Sequence, residues 1–201
     1  FGALGALEAV NYVGKLSNHT EISPADIDAV RNKLTNWIAQ EGGVDPAEIL
    51  DIIRQIAGEN LNIARSEAGI NNVFSEIADI ESNLIANISA QGEDDKQTAS
   101  KIRQAIEAEG QITLCRLLGT ASLERTESRG GYFGGAYRLE HPNQDDDNWL
   151  KNIVLRKSNG GIKVSHDPVV KLDEEYSEAM LKAMSTEWAT PDDAEYYSTS
   201  E

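Results

Sequence analysis

The sequence predicts a mainly α-helical protein: an antiparallel three-helix bundle of the spectrin-repeat kind, followed by an irregular Gly/Arg-rich loop and a small β-hairpin. Three observations carry this. Apolar residues recur at three- and four-residue spacing through the first 125 positions, the signature of amphipathic helices. The connections between these stretches are only a few residues long, which sets successive helices antiparallel. After Glu127 the helical period stops, and two short strand-like runs flank Ser158-Asn159-Gly160-Gly161, a hairpin-turn signal.

The elements follow in order. Phe1 to Val13 is rich in Ala, Gly and Leu and reads as a helix built for close packing against something else. Ser23-Pro24-Ala25-Asp26 opens a second helix, with a side-chain cap and a first-turn proline. Its expected buried stripe is Ile27, Val30, Leu34 and Trp37 or Ile38. Gly42-Gly43 ends it, and Asp45-Pro46-Ala47-Glu48 starts the next, with Ile49, Ile52, Ile53, Ile56 and Ile63 on one face. Ser66-Glu67 restarts a helix whose stripe is Ile70, Val73, Phe74, Ile77, Ile80, Leu84 and Ile88. Gln91 to Asp95 is turn-forming, and a long helix then runs to about Arg125 through Ile102, Ala105, Ile106, Thr113, Leu117 and Ala121. Strands are expected over Asn152–Lys157 and Ile162–His166, and one or two amphipathic turns over Tyr176–Trp188. This divides the chain into a first helix (1–14), a helical bundle (23–126), a loop-and-hairpin segment (127–172) and an acidic tail (173–201).

Composition excludes several function classes. A net charge of −16 over 201 residues opposes nucleic-acid binding, which rests on Lys and Arg neutralising phosphates. No window approaches the length of apolar sequence needed to span a bilayer. The lone Cys115 rules out an internal disulfide framework or a cysteine-rich metal site. A cytoplasmic protein fits this composition. Met180 and Met184 are the only methionines, so an excised or processed chain is expected.

Residues able to carry chemistry are few. His19, His141 and His166 lie in separate segments without metal-ligand spacing. Cys115 falls in an apolar helix and reads as a small core residue. Asp145-Asp146-Asp147 lacks the alternating ligands and closing glutamate of a calcium loop and reads as a solvated turn before Trp149. One constellation stands out: Arg125, Glu127, Ser128 and Arg129, followed by Tyr137 and Arg138. So many ionisable groups at the end of an apolar helix are costly to bury unless paired. A helix C-terminus, where Arg complements the dipole and Gly ends the helix, and an interdomain network account for them equally well.

The stretch Leu123-Glu124-Arg125-Thr126-Glu127-Ser128-Arg129-Gly130, then Tyr137-Arg138 with Pro142, then Asp145-Asp146-Asp147-Asn148-Trp149-Leu150-Lys151, resembles the late signature of the succinate dehydrogenase/fumarate reductase flavoprotein family. Phe1-Gly2-Ala3 to Tyr12-Val13 is similar to the last helix of that family's FAD-binding domain. Ile63-Ala64-Arg65-Ser66-Glu67-Ala68-Gly69-Ile70 is similar to a helix junction of the family, and His166-Asp167-Pro168-Val169 to the segment closing its hairpin. The resemblance covers roughly residues 1 to 172. Gly131 to Ala136 lengthen the loop before Tyr137-Arg138 and contain no histidine, a departure from the family pattern; the longer loop is similar to that of the related adenylylsulfate reductase α subunit. L-Aspartate oxidases share the Glu-Ser-Arg-Gly element.

The resemblance implies a C-terminal helical domain that supports an FAD-binding domain, itself absent from this chain, in an enzyme that passes hydride between flavin and a dicarboxylate. Residues 1–14 are then the terminal helix of that FAD-binding domain. The family's proton-donating arginine, substrate-binding residues and FAD fingerprint lie upstream of Phe1. No catalytic, cofactor-binding or metal-ligating residue is therefore assigned here, and the chain alone is expected to be inactive and free of FAD. The implied partners are the chain's own FAD-binding domain and an iron–sulfur subunit, with a membrane anchor left open. Those subunits would hold the protein at the cytoplasmic face of a membrane. The alternatives are the equivalent domain of an adenylylsulfate reductase α subunit or of an L-aspartate oxidase, and a free-standing helical interaction module.

Overall fold

The computed structural model describes residues 2–17, 21–130, 137–159 and 161–169. The element order is α1 (Gly2–Gly14), α2 (Pro24–Ala39), α3 (Pro46–Asn60), β1 (Ala64–Arg65), α4 (Glu67–Asn83), a 3-10 turn (Ile85–Asn87), α5 (Asp95–Glu124), β2 (Tyr137–Arg138), α6 (Asp146–Trp149), β3 (Lys151–Ser158) and β4 (Gly161–Pro168). The described residues are thus mostly helical with a small antiparallel hairpin, as the sequence predicts. His19, the loop 131–136, the Tyr176–Trp188 turns and the acidic tail lie outside the described residues.

Local chemistry sets where the helices start. The side chains of Ser23, Asp45, Ser66 and Asp94 accept hydrogen bonds from the backbone N–H groups of Asp26, Ala47, Gly69 and Gln97, opening α2, α3, α4 and α5. Each satisfies one N–H that has no partner inside its helix. Pro24 and Pro46 occupy the first turns of α2 and α3, where no N–H is needed.

Helices α3, α4 and α5 pack on one another. Their senses follow from the ion pairs between them. Asp45 and Arg54 meet Lys101 and Glu107 in the same order, so α3 and α5 run in the same direction. Glu81 meets Arg116 while the earlier Ile70 and Phe74 lie against the later Gly119, so α4 runs the opposite way. The core comprises Ile49, Leu50 and Ile53 of α3, Ile70, Val73, Ile77 and Ile80 of α4, and Ala105, Ala108, Ile112 and Cys115 of α5, with Trp37 contributed by α2. Burial pushes the Cys115 thiol up, away from thiolate chemistry. Val44 and Ile88 form a parallel bridge, and the Ala90 N–H donates to the Trp37 carbonyl, tying the two inter-helix connections together.

Three expected stripes are corrected. In α2, Ile27 and Val30 are exposed and only Trp37 is buried, because the first half of that helix runs past the core. Ile52 and Ile63 are also exposed, and Leu50 takes the place of Ile52 in the core. In α5, Ile106 and Thr113 are exposed and Leu117 and Ala121 half-buried. The buried line is instead Ala105, Ala108, Ile112, Cys115, Gly119 and Ser122. These recur at alternating three- and four-residue steps and are mostly small, which lets α4 approach closely. A Cβ on Gly119 would lie 2.7 Å from Phe74 Cε1 and 3.2 Å from Ile70 Cγ2.

The hairpin pairs Lys151 with Pro168 through to Ser158 with Gly161, slightly longer than predicted. Gly161, at φ +136°, takes a conformation that side chains disfavour and closes the turn.

Candidate functional site

Residues 125–130 and 137–150 fold against the C-terminal end of α5, and Glu127 is the centre of that arrangement. Its carboxylate has no exposed surface. Oε1 accepts from Arg125 Nη1 at 2.5 Å and from Arg129 Nε at 2.7 Å. Oε2 accepts from Arg129 Nη2 at 3.0 Å and from the Asp145 backbone N–H at 2.7 Å. Burial pushes the Glu127 carboxyl up, but the hydrogen bonds from Arg129, Asp145 and Arg125 and the Arg129 charge outweigh it. The carboxyl titrates below the ordinary glutamate range. Arg129 is held protonated by hydrogen bonds to Glu127 and, at 2.7 Å, to Asp146. The acidic run expected as a solvated turn therefore has a local role: Asp145 caps α6 and Asp146 pairs with Arg129.

Arg125 continues the network into the hairpin. Its Nη1 and Nη2 donate to the carbonyls of Trp149 and Lys151 at 3.3 and 3.1 Å. Its guanidinium also lies over the Trp149 ring, 5.2 Å from the centroid. Trp149 is buried, with Nε1 donating to Thr126 Oγ1 at 2.9 Å. His166 of β4 meets the Trp149 ring edge-on and places Nε2 3.0 Å from Glu124 Oε1.

Ser128 closes the base of the Gly-rich loop. Its Oγ accepts from the Arg138 backbone N–H at 2.7 Å and donates to the His141 carbonyl at 2.8 Å. Arg138 is 1 % exposed. Its Nη1 donates to the carbonyls of Ser122 and Arg125, the latter at 3.0 Å, and Nη2 reaches Glu140 at 3.4 Å. Arg65, paired with Arg138 in the parallel β1–β2 bridge, donates through Nε to the Asn62 carbonyl at 2.7 Å and through Nη1 to Ser122 Oγ at 2.8 Å. The two guanidiniums thus sit on the C-terminal ends of α3 and α5, where free carbonyls and the helix dipoles favour positive charge. Burial, then the charge of Arg138, lowers the Arg65 pKa from its usual value. Glu140 supplies a carboxylate beside the pair, and its Oε1 accepts from the Glu67 N–H at the start of α4.

Five of the six residues singled out by sequence thus take part through their side chains: Arg125, Glu127 and Arg129 around one carboxylate, Ser128 on the Arg138 backbone N–H, and Arg138 on the carbonyls of Ser122 and Arg125. Tyr137 joins only through its backbone, donating to the Ile63 carbonyl, and its side chain is exposed beside Leu139. Sequence reasoning missed Arg65, Glu140 and Trp149 as members. Arg65 carried a usable signal, because an arginine one residue before a helix cap is placed to reach the end of the preceding helix. What this arrangement does is bind loop, hairpin and helix ends together. Among the described residues no group of three or more His, Cys, Asp or Glu could hold a metal ion, and no helix is long and apolar enough to cross a membrane.

Comparison with known proteins adds an independent finding. Residues 51–184 match the family model described as fumarate reductase flavoprotein C-term, a span that contains the whole Glu127 network. An uncharacterised FAD-dependent oxidoreductase of Methanocaldococcus jannaschii is 22% identical over 156 residues, covering 78% of this chain and 26% of that protein. Mycobacterium smegmatis Sdh1 superimposes with a TM-score of 0.68 at 22% identity, covering 94% of this chain and 31% of that one. An E. coli quinol fumarate reductase chain superimposes with a TM-score of 0.60 at 18% identity, covering 77% and 27%. The chain therefore spans about a quarter to a third of the length of these relatives.

Proposed function

The chain belongs to the fumarate reductase flavoprotein C-terminal family, and from that premise we propose that it is the helical support domain of a longer FAD-dependent oxidoreductase. In this reading the longer polypeptide holds FAD, which supplies the redox chemistry by exchanging hydride with a dicarboxylate. This chain supplies no reacting group. Its work is to hold a rigid surface against the flavin-binding part.

The family match across residues 51–184 carries the reading. The geometry supports it in a particular way. The Arg125, Glu127, Ser128, Arg129 and Arg138 interactions hold the backbone on the two described flanks, 125–129 and 138–146, in place from within, while Tyr137 and Leu139 on either side of buried Arg138 stay exposed, 43% and 56%. Strand alternation turns the charge inward and the apolar side chains outward, and those outward side chains, with Ile63, form a contact for the flavin-binding part. The network thus serves the interdomain contact by positioning it. An iron–sulfur subunit is the proposed electron partner, and attachment to a membrane surface would come through partner subunits.

The test is to produce this chain and the longer polypeptide of the same reading frame side by side. The longer protein is expected to carry FAD and to reduce or oxidise a dicarboxylate with an artificial electron carrier, and this chain to do neither. Stoichiometric FAD on this chain alone, or none on the longer protein, would overturn the proposal.

A further inference from the structure

The register of the β3–β4 hairpin pairs Ser158 with Gly161, which leaves Asn159 and Gly160 as a two-residue loop. Asparagine before glycine suits such loops because both residues tolerate a left-handed backbone. Asn159 makes no use of that tolerance: among the described residues only glycines have a positive φ. The turn itself therefore does not demand an asparagine. What sets the position apart is the chemistry of the dipeptide. Every other asparagine in the chain precedes a residue with a side chain, and Asn159 alone precedes glycine.

The backbone nitrogen that follows an asparagine can attack the side-chain carbonyl carbon, and a Cβ on the attacking residue crowds that ring closure. Glycine removes the crowding and leaves the backbone free to turn. The surroundings favour the same reaction. Asn159 is exposed to water, and Arg156, Lys157 and Lys163 are exposed on the strand ends beside it, with no carboxylate between Arg156 and Lys163 in the chain. Arg156 and Lys163 stand opposite each other in the ladder, a like-charge pair that costs stability. Their positive charge lowers the cost of ionising the Gly160 nitrogen, the form that attacks.

We propose that Asn159 is a site of spontaneous deamidation, with water as the only co-reactant. The Gly160 nitrogen bonds to the Asn159 side-chain carbonyl carbon, the amide C–N bond breaks, and the amide nitrogen leaves as ammonia with the proton that Gly160 gave up. Water then opens the five-membered ring at either of its carbonyls, giving aspartate or isoaspartate. No oxidation or reduction is involved. Either product sets a negative charge among Arg156, Lys157 and Lys163 in a chain whose net charge is already −16. Isoaspartate also adds a methylene to the main chain, which lengthens the loop and loosens the Ser158–Gly161 end of the ladder. The hairpin base is held separately, by Arg125 on the Lys151 carbonyl and by His166 against Glu124 and Trp149. The change therefore marks the age of the molecule at the tip and leaves the base docked.

Peptide mass mapping of the folded chain, aged at mildly alkaline pH, tests the proposal. The peptide that holds Asn159 is expected to gain about 1 Da and to become a substrate for enzymatic isoaspartate methylation, ahead of every peptide that holds another asparagine. Asn159→Gln should remove the change, and Gly160→Ala should slow it about tenfold or more by crowding the closing ring. Arg156→Gln combined with Lys163→Gln should slow it by a smaller factor. An Asn159 peptide that stays intact, whether or not another asparagine converts, would overturn the proposal. So would conversion in urea with none in the folded chain, because the turn would then be holding the two groups apart. Equal rates in wild type and Gly160→Ala would overturn the ring-closure route.

Discussion

Arg129 grips Glu127 with two parallel hydrogen bonds, Nε to Oε1 at 2.7 Å and Nη2 to Oε2 at 3.0 Å. The two partners are not equivalent. Glu127 is wholly buried and Arg129 is 30% exposed. Losing Glu127 takes the shared carboxylate from both Arg125 and Arg129 and frees the Asp145 N–H, whereas losing Arg129 leaves the carboxylate with two donors. Glu127→Ala is expected to cost about 3 to 5 kcal/mol, the scale for breaking a buried pair. Arg129→Ala should cost about 1.5 to 3 kcal/mol, the scale of hydrogen bonds to a charged group. Urea unfolding of this chain measures both, and an unchanged midpoint for Glu127→Ala would show that the network contributes nothing to the domain itself.

The same carboxylate sets an acid limit. Its folded pKa lies below the unfolded value of about 4.3. Its contribution is therefore fully present above that value and disappears as pH falls through the folded pKa. Wild-type stability should hold from neutral pH to about pH 5 and drop below it. Glu127→Gln should be less stable at neutral pH and show a flatter acid decline. Parallel declines in the two proteins would remove Glu127 from the explanation.

Gly119 is expected to resist even a methyl group. Alanine would gain about 1 kcal/mol of helix propensity, but its Cβ would press into the Phe74 ring at 2.7 Å. Overpacking of this kind costs about 1 to 3 kcal/mol. Gly119→Ala should therefore destabilise on balance, and Phe74→Leu in the same protein should recover part of the loss. Calorimetry of the two single variants and the double variant tests the coupling.

Arg138 should not be replaceable by lysine. One guanidinium nitrogen serves two carbonyls while another reaches Glu140, a planar fork that a single ammonium cannot copy. Arg138→Lys and Arg138→Met are both expected to lower the melting temperature by several degrees, about 2 to 4 °C per kcal/mol for a chain of this size. A lysine variant melting with wild type would mean that charge alone matters there.

What was legible in the sequence was what local chemistry decides. Ser23, Asp45 and Ser66 announce helix starts because a cap needs only its next three residues, and the 158–161 turn announces the hairpin for the same reason. The stripe of α5 is not legible from hydrophobicity, because close packing selects for volume: Gly119 and Ser122 are inside and Leu114 is outside. The constellation around Glu127 was visible as a cost, four ionisable groups needing partners. Its solution was not, because Asp145 N–H, Trp149 and Arg65 arrive from distant segments. Full burial of Arg138 had no signal at all in an isolated Tyr-Arg pair.

The Glu140–Glu67 contact joins residues 73 apart and sits beside the β1–β2 bridge. Bringing such distant segments together costs about 4 kcal/mol in chain entropy, and two bridged residue pairs cannot repay that alone. Helices α4 and α5 must already be docked before the bridge gains anything. The bridge is therefore a late lock and no seed for folding. Changes at Glu140 or Arg138 should quicken unfolding and leave the refolding rate untouched, whereas truncating Ile70 or Ile112 in the helix core should slow refolding. The practical result is persistence: a segment that closes last is the one that must open first, so the loop-and-bridge segment governs how long the folded molecule survives a transient challenge more than how quickly it forms.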